Sequence, residues 1–186
     1  MILGSHNSWS FLRPAKWWMR LYAFTARCQS VDIRTQYVRY GVRCFDLRVR
    51  IPSGKPQLVH GKVVYKGSPD ADLAFLNDCG DCSVRLVLDT RTIGPYVEQR
   101  DYFRAYCHTL TVIYPNIRFW CFRNLYDWRQ EVSSPEPSCE ERYASVRPPR
   151  IIDDWLPWLY ARLHNHRNIQ AATEKEILLI DYVNIR

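Results

Sequence analysis

Long apolar runs, internal repeats and a basic-then-apolar leader are all missing from this sequence, and glycine is sparse. No stretch approaches the roughly 18 apolar residues that a helix needs to cross a bilayer, so a transmembrane helix is excluded. The opening residues, MILGSHNSWS, carry no charged segment followed by an apolar run, and no signal peptide is expected. Cysteine forms no framework. There are seven, an odd number, scattered as Cys28, Cys44, Cys79, Cys82, Cys107, Cys121 and Cys139. With no leader, reduced thiols and a cytoplasmic setting are the expectation. Cys79 and Cys82 have CxxC spacing, but no second CxxC or His pair completes a tetrahedral zinc site. The pair also precedes a predicted strand, whereas a redox CxxC follows one.

What is present argues for a packed protein. Hydrophobic residues make up 47% of the 186 positions, with seven Trp and 12 Tyr against only 7 Gly. Burying such side chains offsets ordering entropy, and the length suits one domain over residues 1–186. Charge is uneven: residues 1–50 hold nine Arg or Lys and two acids, Asp32 and Asp46, an excess equal to the whole net charge of +7. A basic half favours anionic partners such as phosphates or lipid headgroups. No nucleic-acid module accompanies it, so no nucleic-acid partner is expected. The sequence carries no signal of oligomeric state.

Alternating patterns predict strands at 1–5, 41–51, 84–89, 117–122 and 176–183, with two short strands bent at Gly61 over 57–65. Helices are predicted at 14–28, 70–78, 97–110 and 153–164. Residues 132–150, rich in Pro and polar residues, read as a loop. Strands alternating with helices predict an α/β fold with a mostly parallel sheet. A full eight-stranded barrel typically takes about 250 residues, so a small, distorted or incomplete TIM-type (β/α) barrel is expected.

Polar residues fall within or just after these strands: His6 and Asn7, Asp46 and Arg48, His60, Asp89 and Arg91, and Asp181. In α/β folds that edge gathers the active site. Two imidazoles and a guanidinium are what phosphodiester transesterification needs. One imidazole takes a proton from the attacking hydroxyl, the other protonates the leaving oxygen, and the guanidinium holds charge on the phosphoryl oxygens. Trp17 and Trp18, beside Lys16 and Arg20, have the composition of a peripheral membrane contact.

GSHNSWS at 4–10 resembles the first catalytic motif of the phosphatidylinositol-specific phospholipase C superfamily. GVRCFDLRVR at 41–50 resembles the second, and LVHGKVVYKGSPDADLAFL at 58–76 the third. VRLVLDTR falls where that family has its fourth strand, and LLIDYVNIR is similar to its closing strand. The resemblance implies a distorted TIM barrel and a phosphorus–oxygen lyase acting on phosphatidylinositol-type lipids. His6 is then the general base that activates the inositol 2-hydroxyl, and His60 the acid that protonates departing diacylglycerol. Arg48 stands where the bacterial enzymes bind phosphate and the eukaryotic ones place a calcium-binding acid, which implies metal independence and no cofactor. Asp46 would position Arg48 or an inositol hydroxyl, Asp181 would orient His6, and Asn7, Asp89 and Arg91 would contact substrate. Bacterial members have Asp where Asn7 stands, so acid catalysis is expected to be weaker unless Asp89 substitutes. Two alternatives stand beside this reading. A glycerophosphodiester phosphodiesterase would want a His-Arg dipeptide and a Glu-x-Asp metal pair, and a non-catalytic barrel would serve as a binding or structural module.

Overall fold

The computed structural model describes residues 1–90, 93–123, 140–143, 156–174 and 176–185. Eight strands are described: β1 (Ile2–Ser5), β2 (Cys44–Arg50), β3 (Gln57–His60), β4 (Val63–Val64), β5 (Ser83–Leu88), β6 (Arg118–Arg123), β7 (Glu140–Tyr143) and β8 (Glu176–Ile180). Four α-helices accompany them: α1 (Ile33–Tyr40), α2 (Asp70–Cys79), α3 (Ile93–Ile113) and α4 (Pro157–Gln170). Six strands are parallel and run β6–β5–β2–β1–β8–β7, so with the β3–β4 hairpin set aside every pair consecutive in the chain except β6 and β7 is adjacent, and the first strand lies beside the last. That is the strand order of a (β/α) barrel. Among the described residues no ladder joins β6 to β7, so the sheet is open and the barrel incomplete.

The two faces of the sheet differ. Phe45, Leu47 and Val49 of β2, Val84, Leu86 and Leu88 of β5, and Leu178 and Ile180 of β8 join the main core with residues of the helices. In α3, Phe103, Cys107 and Leu110 recur at helical spacing and are buried, as an amphipathic helix on a sheet requires. The opposite face holds a smaller cluster, Cys44, Val87, Trp120, Ile177 and Leu179, and the same side of β2 carries Asp46 and Arg48. Period-2 alternation therefore sends the apolar set to the helices and the ionic set to the concave side. Gly4 is needed where β1 is squeezed between neighbours. A Cβ there would strike the Leu179 side chain and lie 3.2 Å from the Cys44 carbonyl oxygen.

Two expectations need correction. Residues 14–28 are not one α-helix but two short 3-10 turns, Trp17–Leu21 and Ala23–Thr25. Only Met19 of the first is buried and none of the second, so no apolar stripe holds a longer helix against the core. Instead Ala15 donates its backbone N–H to the Val64 carbonyl, and Lys66 donates to Arg13, tying the segment to the β3–β4 hairpin. The stretch 132–150, read as a loop, contains β7 within its described part, paired in parallel with β8. A helix also went unread. α1 begins at Asp32, whose carboxylate accepts the Thr35 backbone N–H at 2.7 Å, and ends at Gly41 with φ of 68°. Both are ordinary capping signals.

Candidate active site

Residues at the C-terminal ends of the parallel strands converge. β1 delivers His6 and Asn7, β2 carries Asp46 and Arg48, β5 is followed by Asp89, and β8 by Asp181. His60 comes from the antiparallel hairpin beside β2 and not from a barrel strand. Arg91 lies outside the described residues.

Asp46 organises the floor. It is fully buried, and its Oδ2 accepts from Arg48 Nε and from the Asn7 backbone N–H, each at 2.9 Å. Its Oδ1 accepts from Arg85 Nη1, also at 2.9 Å. Burial alone would raise this carboxyl's pKa, but the guanidiniums of Arg48 and Arg85 outweigh it and hold Asp46 well below the usual carboxylate range. Neither oxygen of Asp46 therefore lacks a partner within the protein. The Ser5–Ser8 turn sets the backbone around it: Ser8 Oγ donates to the Ser5 carbonyl and accepts the Asp46 backbone N–H.

His6 has a defined tautomer. Its Nδ1–H donates to Asp181 Oδ1 at 2.7 Å. Arg48 Nη2 is 2.7 Å from Nε2, and because a guanidinium only donates, Nε2 must carry the lone pair. The neighbouring backbone is bent to achieve this, with Asn7 at φ 42° and Tyr182, beside Asp181, at φ 45°. Left-handed backbone at a residue as bulky as Tyr is costly and clusters at functional sites. Gln29, fully buried, braces both ends: its Nε2 donates to the His6 and Ile180 carbonyls and its Oε1 accepts from the Val183 N–H. Burial pushes the Tyr65 hydroxyl pKa up, and the Asn7 side chain, itself buried, pulls against it through a hydrogen bond.

His60 donates from Nδ1 to the Ala26 carbonyl at 2.8 Å. Burial, the Arg48 guanidinium and His6 together lower its pKa from 6.5 to about 4, against the opposing pull of Asp89 and the Ala26 carbonyl. Asp89 accepts the Gly61 backbone N–H at 2.9 Å. Burial would raise its pKa, but Arg48 and His60 outweigh that and hold it below its ordinary value. The two imidazole rings meet edge to face, with centroids 5.5 Å apart and planes at 86°. The rings are in contact, with no phosphate-sized gap between them.

Two further residues belong to the site. Arg85 of β5 lies opposite Asp46 in the strand register, a placement that the sequence alone does not show. Cys28 was one of several scattered cysteines. It is 1% exposed, its Sγ lies 3.7 Å from His60 Nδ1, and burial, then Asp181, push its thiol pKa up. Among the described residues, His6, Cys28 and His60 form a group of metal-ligating side chains close enough to share an ion. Trp17 and Trp18 lie on the segment between His6 and Cys28, 74% and 41% exposed.

No family model matches the chain, and no curated protein matches it either. Among solved structures, the phosphatidylinositol-specific phospholipase C from Listeria monocytogenes matches with a TM-score of 0.55 at 11% identity, covering 97% of this chain and 87% of that one. At that identity the likeness establishes a distant relationship of fold.

Proposed function

We propose that residues 1–186 form one catalytic domain, a phosphodiesterase that cleaves phosphatidylinositol-type lipids without a metal. The carrying observation is the unbroken chain Asp181–His6–Arg48–Asp46, at 2.7, 2.7 and 2.9 Å, with the His60 ring against its centre. His6 Nε2 is the general base toward the inositol 2-hydroxyl, and Asp181 stabilises the imidazolium that forms. Arg48 holds the phosphoryl oxygens while Asp46 and Arg85 fix its position. To reach a phosphate, Arg48 must withdraw Nη2 from His6, so substrate binding itself releases the base.

His60 supplies the proton to departing diacylglycerol. Burial is the larger cause of the lowered His60 pKa, but an anion seated at Arg48 cancels the repulsive part, so the value rises and His60 becomes a better acid when substrate is bound. Asn7 Nδ2 is a donor for the substrate, and Asp89 and Arg91 complete its surroundings. Metal independence follows from Asp46, whose oxygens serve guanidiniums rather than a cation. The exposed set Trp17, Trp18, Leu21 and Phe24, with Lys16 and Arg20, rests on the lipid surface. The contact between the two rings favours one other reading, a barrel that binds and does not cleave.

Turnover of phosphatidylinositol vesicles by variants separates the two. His6→Ala and His60→Ala should each lower kcat by about 10²–10⁴-fold, and Arg48→Lys should lower kcat without rescue by calcium. Folded wild-type protein that turns over no phosphodiester would leave the binding module.

A further inference from the structure

We propose that His6, Cys28 and His60 form a thiolate–bis-imidazole site for a zinc-type ion that closes the catalytic centre. One donor atom from each residue lies within 4.8 Å of the other two. Tetrahedral zinc, with nitrogen at about 2.0–2.1 Å and sulfur at about 2.3 Å, sets its donors about 3.3–3.8 Å apart. The Sγ of Cys28 and Nδ1 of His60 are already at 3.7 Å. Binding the ion there gives up the Nδ1–H bond to the Ala26 carbonyl, the imidazole proton moving to Nε2, and small side-chain shifts close the remaining distance to His6.

The surroundings fit a resident ion. Asp181 grips Nδ1 of His6 at 2.7 Å, which leaves Nε2 as the coordinating atom and reproduces the carboxylate–histidine–metal arrangement that orients ligands. The ion displaces the Cys28 thiol proton to solvent, against the burial that favours the thiol, and the resulting thiolate and the Asp181 carboxylate offset the dication. Arg48 yields its bond to His6 Nε2, the same displacement that a phosphate requires, and keeps its pairing with Asp46. Sulfur with two imidazoles selects zinc-type ions, whereas calcium and magnesium take oxygen donors. Three protein donors leave a fourth position for water. Nothing in the acid–base chemistry calls for a sulfur at this place, and the Cys79–Cys82 pair is elsewhere in the fold.

The inhibitory consequence rests on His6 being the base, because an ion on Nε2 removes the lone pair; the binding itself does not. Cobalt is therefore the probe, without substrate. The full chain should bind one equivalent of Co²⁺ with a near-ultraviolet sulfur-to-cobalt band that Zn²⁺ displaces. Cys28→Ser should lose the band with its circular dichroism intact, Cys79→Ser/Cys82→Ser should keep it, and Asp181→Asn should weaken zinc about 10–100-fold. Absence of the band at one equivalent, or its survival in folded Cys28→Ser, overturns the proposal. If Cys28→Ser does not fold, His60→Asn decides, and an unchanged cobalt spectrum and affinity there is equally fatal. A protein that shows the band and turns over no lipid keeps the metal site and loses the phosphodiesterase. One that turns over lipid at saturating zinc loses the inhibitory consequence.

Discussion

A histidine with its pKa lowered to about 4 is neutral at pH 7, so His60 can act as an acid only when something raises that value. Arg48 is the charge that an anionic ligand neutralises, and the His60 resonance should titrate near pH 4 in the free protein and move upward when inositol phosphate binds. Histidine NMR titration with and without that ligand measures it. An unmoved midpoint would separate His60 from the anion site. The same depression sets a sign for stability. The unfolded chain takes up its His60 proton near pH 6.5 and the folded one only near 4, so the contribution is present above 6.5 and lost as pH falls toward 4. It amounts to about 2 kcal/mol, discounted because the ring is partly exposed. Urea midpoints between pH 7 and 4 should fall less steeply in His60→Asn than in wild type. Arg85 acts more bluntly. Arg85→Met strips one of two guanidiniums from a buried carboxylate and should cost about 3 kcal/mol, read by the same unfolding curves. His6, Arg48 and Asp181 were legible because each sits in or directly after an alternating strand. Arg85 and Cys28 were not, since their partners come from distant sequence and only strand register and the fold of the β1–α1 segment unite them.

Elements were legible where an apolar period or a cap stands alone. β2, β5, β8 and α2 fall within a few residues of their expected bounds, because runs such as VRLVLD and EILLI fit nothing but buried strands. The 14–28 segment misled because a proline start followed by aromatic and basic residues imitates a helix, whereas its Trp17, Leu21 and Phe24 face outward. α1 is short, and only its Asp32 and Gly41 caps announce it. Asp32→Ala should therefore destabilise by about 1 kcal/mol, and a loss well below that in thermal unfolding would demote the cap. At β1 the constraint is space. Gly4→Ala forces the Leu179 side chain and the Cys44 backbone apart and should cost about 1–3 kcal/mol. A neutral Gly4→Ala in denaturant titration would mean that the three strands pack more loosely than described.

At the scale of the molecule, strands alternating with helices implied a mostly parallel sheet, and the length implied a small, distorted or incomplete barrel; the order β6–β5–β2–β1–β8–β7 came from the structure. That no ladder joins β6 to β7 among the described residues was not readable, because residues 123–170 carry no recognised motif. The β1–α1 segment displays Trp17, Trp18, Leu21 and Phe24 among exposed Arg13, Lys16, Arg20 and Arg27. Each basic residue near an anionic bilayer contributes about 1 kcal/mol. Lys16→Gln and Arg20→Gln should each weaken binding to anionic vesicles about fivefold, and Trp17→Ala/Trp18→Ala should weaken binding to neutral ones as well. Vesicle sedimentation measures both, and indifference to all four changes would remove the membrane from this face.

The reaction itself is followed most directly by phosphorus NMR of phosphatidylinositol vesicles incubated with the full chain in excess EDTA. The site described above predicts a cyclic inositol phosphodiester resonance with wild type and none with His6→Ala. Folded wild-type protein that produces no new phosphorus resonance, or produces one only after calcium is restored, contradicts a metal-independent His6–His60 pair.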